Sequence, residues 1–359
     1  MAEESSLMWH RGDPLEVEGV ARALPRYIDV VRGRRAAKFI ISRSYATEFS
    51  ETDSTEELWR LHSELLRGYY AYESEYESGK GKAVNRSFLD LKVELAKRVM
   101  GSCRFCERRC GVDRLTGGVG YCGAGREFAV ASSFLHTGEE PELVPSGTVF
   151  TSGCTIRCLH CQNYDISQWL DRGTPMGPER MADLVSRLQS AGCRNLNMVG
   201  GEPTPNTWLW LDTSRHIKDG VAAVWNSNSW YSEETAELLA GFIDLYLLDF
   251  KYGNDSCASA ISDAPRYWAT CTRNHLAAKE NGELLIRVLV LPGHNGCCTR
   301  PILEWIAGNL GPWTRVNLMF QYHPEWRAGE RPELSRRLSK AEKEEAERIA
   351  VEVGLRNLV

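Results

Sequence analysis

No run of apolar residues in this 359-residue chain approaches the ~18–20 needed to cross a bilayer. Its opening, MAEESSLMWHRGDP, has neither the basic nor the hydrophobic segment that begins a secretory signal. The expectation is a cytoplasmic protein with no membrane partner. Excess positive charge is missing too: 43 Lys+Arg stand against 48 Asp+Glu, a formal net charge of −5. That balance excludes nucleic-acid binding through bulk electrostatics as the default. Fixed-period repeats and low-complexity tracts are absent, which argues against solenoids, and a composition 43% hydrophobic and 25% charged excludes a disordered chain.

What the chain has in abundance is cysteine, twelve in all. In a reducing compartment clustered cysteines hold metals or do chemistry more often than they form disulfides. Seven fall between 103 and 161 in two tight groups, and these are the ligand candidates. Cys193, Cys257, Cys271, Cys297 and Cys298 are scattered along the sequence.

Residues 1–100 read as a helical N-terminal region without a catalytic motif. STEELWRLHSELLRGYYAYE begins with Ser54 and Glu57 in capping-box spacing, and FLDLKVELAKRVM places Leu89, Val93, Ala96 and Met100 on one stripe. The charged ESGKGKAVNRS between them reads as a solvated loop. Residues 101–147 form a Cys-rich module. From 148 to 325 short apolar runs alternate with amphipathic stretches, the pattern of βα units around a parallel sheet. Six runs read as strands, at 148–153, 195–201, 221–227, 244–251, 284–292 and 315–322. One intervening helix carries Met181, Leu184, Val185 and Leu188 and stops at Gly192, and another starts at Thr299 with Pro301 in its first turn. Six such units suit an α/β partial (β/α)6 barrel, with a C-terminal helical extension at 326–359.

The first of these strands runs into Cys154-Thr-Ile-Arg-Cys158-Leu-His-Cys161, a C-x3-C-x2-C loop. Three thiolates on so short a loop grip one compact soft centre. Closed zinc sites take four ligands, and a [4Fe–4S] cluster takes one per iron, so three cysteines leave one iron open to a small molecule. A structural zinc loop completed by His160 is the alternative.

These residues resemble a known family. C-x3-C-x2-C after the first strand of a partial barrel is the signature of the radical S-adenosylmethionine (SAM) enzymes. FTSGCTIRCLHCQNYDIS, HTGEEPELVPSGTVF, GGEPTP and DLYLLDFKY together resemble the branch related to pyruvate formate-lyase activating enzyme, over roughly 103–325. The resemblance implies a [4Fe–4S] cluster on Cys154, Cys158 and Cys161, chelation of its open iron by SAM, and reductive cleavage of SAM to a 5′-deoxyadenosyl radical. It also implies an electron donor such as flavodoxin or ferredoxin and, by analogy with glycyl-radical activases, a protein substrate. His160 stands where the family usually has an aromatic residue and is expected to be a packing contact.

Gly200-Gly201-Glu202 ends the second barrel strand, where glycines let backbone approach a ligand and Glu202 offers an acceptor for an ammonium; in the family this GGE holds the SAM amino group. Asn226 and Asn228 end the third strand where similar enzymes carry a D-T-N-like segment, with a plain Asn-rich turn as the alternative. Asp249 and Lys251 alternate at the end of the fourth strand and so face one way; the resemblance places both beside SAM. Arg287 lies in a buried-looking strand and needs an anionic partner. In similar enzymes it contacts SAM, and a salt bridge to Asp249 is the alternative.

Upstream, Cys103-x2-Cys106-x3-Cys110-x11-Cys122 supplies four thiols, enough for a closed site of either zinc or an auxiliary iron–sulfur centre. Arg104, Arg108, Arg109 and Arg114 give this module local positive charge, which either docks an acidic partner or balances the thiolates. Two further readings stay open: a non-catalytic metal-binding interaction protein, and a radical SAM RNA-modifying enzyme, disfavoured by the acidic balance.

Overall fold

The computed structural model describes residues 12–81, 84–170 and 173–359. Most of the opening peptide and two residues of the ESGKGKAVNRS loop, Lys82 and Ala83, lie outside the described residues.

Eight strands form one sheet: β1 (Phe128–His136), β2 (Ser146–Thr151), β3 (Thr174–Met176), β4 (Asn195–Gly200), β5 (Ala222–Ser227), β6 (Leu245–Asp249), β7 (Glu283–Leu289) and β8 (Arg315–Met319). Their order is β3-β1-β2-β4-β5-β6-β7-β8, so the sheet does not close; β3 ends one side and β8, bridged at Val316 by the C-terminal Leu358, ends the other. From β2 through β8 every pairing is parallel, and these six strands are the six apolar runs read from the sequence. β1 and β3 add an antiparallel flank. Parallel strands covered by helices on one side and filled on the other need apolar residues at every position. β5 is buried throughout, and Leu245, Leu247 and Leu248 of β6 are wholly so.

The helices form where sequence signals place them. Ser54 and Glu57 make a reciprocal capping box at the start of the helix Thr55–Glu75, and Ser87 with Asp90 does the same for Phe88–Gly101; such a cap stabilises by about 1 kcal/mol. Helix Pro178–Ser190 buries Met181, Leu184, Val185 and Leu188, and Gly192 closes it at φ +93°. Among the described residues no helix is long and apolar enough to cross a membrane.

The N-terminal helices cover the end of the barrel where the strands begin. Arg26 pairs with Asp244, just before β6, and Lys38 N donates to the same carboxylate at 3.0 Å. Asn195, the first residue of β4, donates to the Tyr27 hydroxyl at 2.9 Å. These contacts plug the lower mouth and leave the C-terminal strand ends for chemistry. A second closure spans the open side: Glu139, Glu140 and Glu142, in the turn between β1 and β2, reach across to Arg287 of β7 and to Asn317 and Arg315 of β8.

Candidate functional site

The three cysteines of the C-x3-C-x2-C loop follow β2 directly. Gly153, at φ +99°, turns the chain, and a side chain there would meet the Cys122 carbonyl at 2.6 Å. Each sulfur has a hydrogen-bonding neighbour: Asn228 Nδ2 at 3.7 Å from Cys154, the Ser262 hydroxyl at 2.9 Å from Cys158, and the Ser167 hydroxyl at 3.0 Å from Cys161. Such contacts tune a thiolate-bound cluster. Burial first, then the Glu202 carboxylate, pushes the Cys154 thiol well above its ordinary pKa, so a thiolate here calls for a bound cation.

All eleven residues expected around the cluster and SAM line a single cavity of about 390 Å3 at the C-terminal strand ends. The three cysteines form one wall, and Gly200, Gly201 and Glu202 come from the end of β4. Asn226 lies at the end of β5 with Asn228 just after it, Asp249 is the last residue of β6 with Lys251 two residues on, and Arg287 comes from β7. Asp249 and Arg287 are direct partners in the β6–β7 register. Lys251 Nζ lies 2.7 Å from the Asp249 carboxylate. Burial would lower the Lys251 ammonium pKa, but Asp249 together with the Cys158 and Cys161 sulfurs outweighs it and the net shift is upward, so this lysine stays charged.

Glu202 is 1% exposed and its carboxylate is already surrounded: Oε1 accepts from the Thr204 and Ser227 hydroxyls at 2.5 and 2.7 Å, and Oε2 from Asn228 N at 2.8 Å. It ties the β4 and β5 loops together. Burial raises its pKa against those hydrogen bonds. Gly200 and Gly201 are close-packed against the backbone that leads into the cysteine loop: a Cβ would sit 2.1 Å from Thr151 O and 2.2 Å from Gly153 O respectively. The Gln168 Oε1, on a residue of the cavity wall, is buried without a hydrogen-bond partner.

Arg287 does not pair with Asp249, the alternative that its sequence position suggested. It is clamped by Glu140 through Nε at 2.8 Å and Nη2 at 2.6 Å, and by Glu139. Sequence reasoning missed these two acids and the neighbouring His136, which also lines the cavity. The signal was present, since GEEPE concentrates three glutamates opposite two arginines in otherwise apolar strands. His160 is buried, with its ring edge-on to Tyr322 at 5.6 Å and its Nε2 3.4 Å from the Tyr252 hydroxyl. It packs beside the loop as expected.

The four upstream cysteines line a second, narrow cavity of about 10 Å3 with Arg108 and Tyr121. Cys154 N donates to Cys122 O at 3.2 Å, so the module abuts the three-cysteine loop. Its arginines are committed within the chain. Arg104 and Arg109 pair with Glu234, Arg108 with Asp263, and buried Arg114 donates to the Gly125 and Pro205 carbonyls. That spends the charge a docked acidic partner would need.

The open parallel barrel with three thiols at its strand ends has the form of a radical SAM domain, and residues 148–306 match the model of the Radical SAM superfamily, to which this part of the chain belongs. The superfamily implies a [4Fe–4S] cluster and SAM, and the three-thiol donor set and the unpartnered Gln168 Oε1 on the cavity wall fit them. The chain is 39% identical over 338 residues to the Methanocaldococcus jannaschii protein MJ0674, covering 92% of this chain and 98% of that one, so the two share a family. A second protein of that organism, MJ0808, is 25% identical over 267 residues, 71% of this chain and 75% of the other. Streptococcus suis SuiB bound to precursor peptide SuiA aligns with 55% of this chain and 43% of its own, at 11% identity and a TM-score of 0.41. A domain of pyruvate-formate lyase-activating enzyme from Bacteroides vulgatus aligns with 51% of this chain and 89% of its own, at 14% identity and a TM-score of 0.33.

Proposed function

We propose that the chain cleaves SAM reductively and directs the resulting radical at a polypeptide, in the manner of the activating enzymes its motifs resemble. The observation that carries this reading is the convergence of all eleven motif residues on one cavity. When bound, the cluster and SAM would supply one-electron reductive cleavage of the sulfonium, yielding methionine and a radical able to abstract hydrogen. The chain's own part is positional. Cys154, Cys158 and Cys161 hold the cluster. The Gly200-Gly201 backbone accepts the SAM ammonium, while Asn226, Asn228 and Lys251 meet its carboxylate and ribose. Arg287, neutralised on one side by Glu139 and Glu140, and Asp249 set the charge of the far wall.

A polypeptide substrate is supported by the rim. Tyr164 lies edge-on to Trp169 at 4.7 Å and parallel to Trp326 at 6.3 Å, and Trp169 is 55% exposed. Tyr164 directly follows the lining residues Gln162 and Asn163. Exposed aromatics of this kind anchor polypeptide interfaces.

For the upstream cysteines the reading favours a second iron–sulfur centre over zinc. Four thiolates on one zinc stand about 3.8 Å apart, as tetrahedral geometry and a Zn–S bond of about 2.3 Å require. Among the described residues, no three of Cys103, Cys106, Cys110 and Cys122 have sulfurs all within 4.8 Å of one another. Iron analysis should then give about eight irons per chain.

The test is to supply anaerobically reconstituted protein with SAM and dithionite and to assay 5′-deoxyadenosine. Wild type should form it and Cys158→Ala should not, because two cysteines cannot hold the site-differentiated cluster. Product from the variant, or none from cluster-replete wild type, overturns the reading.

A further inference from the structure

Three of the cysteines that look scattered in the sequence meet in the fold. Cys257 lies in the first turn of the helix Asp255–Ser262, and Cys297 and Cys298 lie in the turn Asn295–Thr299 that leads into the helix Arg300–Asn309. Their sulfurs all lie within 4.8 Å of one another, and this is the one group of three or more such side chains among the described residues to meet that limit. Cys257 Sγ is 3.9 Å from Cys297 Sγ, which is 4.0 Å from Cys298 Sγ. None of the three lines either cavity described above.

The local chain is built to keep them there. Asn254 caps the first helix by accepting from Cys257 N at 2.8 Å, and its amide donates to Cys297 O at 2.8 Å and to Cys257 Sγ at 3.3 Å, so one side chain fixes both loops. Gly253 lies flat against the second loop: a Cβ there would stand 2.7 Å from Cys297 O and 2.8 Å from Cys298 Cα. Both loops follow barrel strands, β6 and β7, which are neighbours in the sheet.

We propose that Cys257, Cys297 and Cys298 form a mononuclear zinc site with its fourth coordination position open to solvent. The spacing decides the metal class. Tetrahedral zinc needs its sulfurs about 3.8 Å apart, and the separations of 3.9 and 4.0 Å are within a few tenths of that, whereas thiolates on different irons of a cluster stand farther apart. Three protein ligands leave one position vacant, and Cys297 is exposed, so a water completes the shell. The structural consequence reaches the barrel centre: zinc pins the start of a helix whose last residue, Ser262, donates its hydroxyl hydrogen bond to Cys158 Sγ. The site does not depend on the activity proposed above.

The experiment uses the full-length, iron-reconstituted protein, stripped of loose zinc with a chelator and titrated with zinc chloride against a chromophoric zinc indicator, followed by zinc and iron analysis after desalting. Wild type should retain one zinc more than Cys297→Ser at equal iron, with affinity for that zinc falling at least about 100-fold in the variant. Cys257→Ser should repeat the loss, and Cys193→Ser, a thiol outside the group, should match wild type. Because Cys297 is exposed, its replacement leaves the core intact, and unchanged iron content verifies folding. Equal zinc uptake by wild type and Cys297→Ser overturns the proposal. So does a Cys257–Cys297 disulfide found by mass spectrometry in anaerobically prepared protein, since that pair would then be a redox couple.

Discussion

The narrowest joint between fold and site is Gly200, and replacing it with alanine should damage both. Gly200 closes β4 at φ +134°, opposite Thr151 of β2. An added Cβ would stand 2.1 Å from Thr151 O, 2.3 Å from Thr151 N and 2.8 Å from Thr151 C, all main-chain atoms that cannot swing aside. The end of β4 must therefore move, and the Gly201 N to Thr151 O hydrogen bond of 2.9 Å goes with it. That bond is worth about 1 kcal/mol, the forced positive φ about 1–3 kcal/mol, and overpacking about 1–3 kcal/mol. A total of roughly 3–7 kcal/mol follows if these add. Gly192→Ala is the matched control, because Gly192 also has positive φ, +93°, but nothing lies within 4 Å of its Cβ position; it should lose only about 1 kcal/mol. Urea unfolding of anaerobic, cluster-replete protein measures both. The same displacement shifts Gly201 and Gly153 beside Cys154, so SAM cleavage should fall in Gly200→Ala and hold in Gly192→Ala. A Gly200→Ala protein as stable as Gly192→Ala, or one that cleaves SAM at the wild-type rate, refutes this geometry.

Two further predictions concern charge. Glu140→Gln leaves the buried Arg287 with Glu139 alone and should destabilise on the order of 3 kcal/mol at neutral pH. Burial would raise the Glu140 carboxyl but Arg287 outweighs it, holding the pKa below its ordinary 4.5. Its contribution is thus present above pH 4.5 and lost as pH falls further, and melting curves of variant and wild type should converge at low pH; a constant gap sinks the assignment. His275, stacked on Phe250 at 4.8 Å, is held by burial at a pKa of about 4 against an ordinary 6.5. A lowered imidazole pKa means the unfolded chain takes up the proton first, so stability is lost as pH falls from about 6.5 towards 4, by up to about 3 kcal/mol. His275→Phe should flatten that slope, and an unchanged slope in acid unfolding would show that the loss arises elsewhere.

Much of the barrel was legible because parallel strands covered on both faces must be apolar at every position, so VAAVWNS and DLYLLDFK announce themselves without help from distant residues. The site was legible for a related reason: its groups come from strand ends, and a strand end is a local feature. Gly200-Gly201, Asn226, Asn228, Asp249 and Lys251 each follow an apolar run directly, and parallel pairing alone brings them level. The flanking strands β1 and β3 escaped notice. β1 alternates buried and half-exposed residues, and β3 has three residues, so neither carries the continuous apolar signal. The short helices Glu18–Ala23, Pro25–Val31 and Lys38–Ser44 escaped as well, being too brief to show a period.

What local reading cannot supply is the partner of a charge or thiol when that partner lies on another loop. Arg287 demanded an anion, and its neighbour in register, Asp249, was the nearest choice on the page of the sequence. The turn between β1 and β2 provides the true partners because it crosses the open side of the barrel, a path set by the missing closure between β8 and β2 and invisible in spacing. Cysteines obey the same rule. Cys154, Cys158 and Cys161 share one loop, so their spacing discloses them as a set. Cys257 and the Cys297-Cys298 pair are forty residues apart and meet only because β6 and β7 are adjacent and deliver their following loops to one rim. A ligand set gathered from one loop is encoded in spacing; one gathered from two loops is encoded in strand order, so in an open barrel the sites to search for are those where the loops of neighbouring strands each end in a donor.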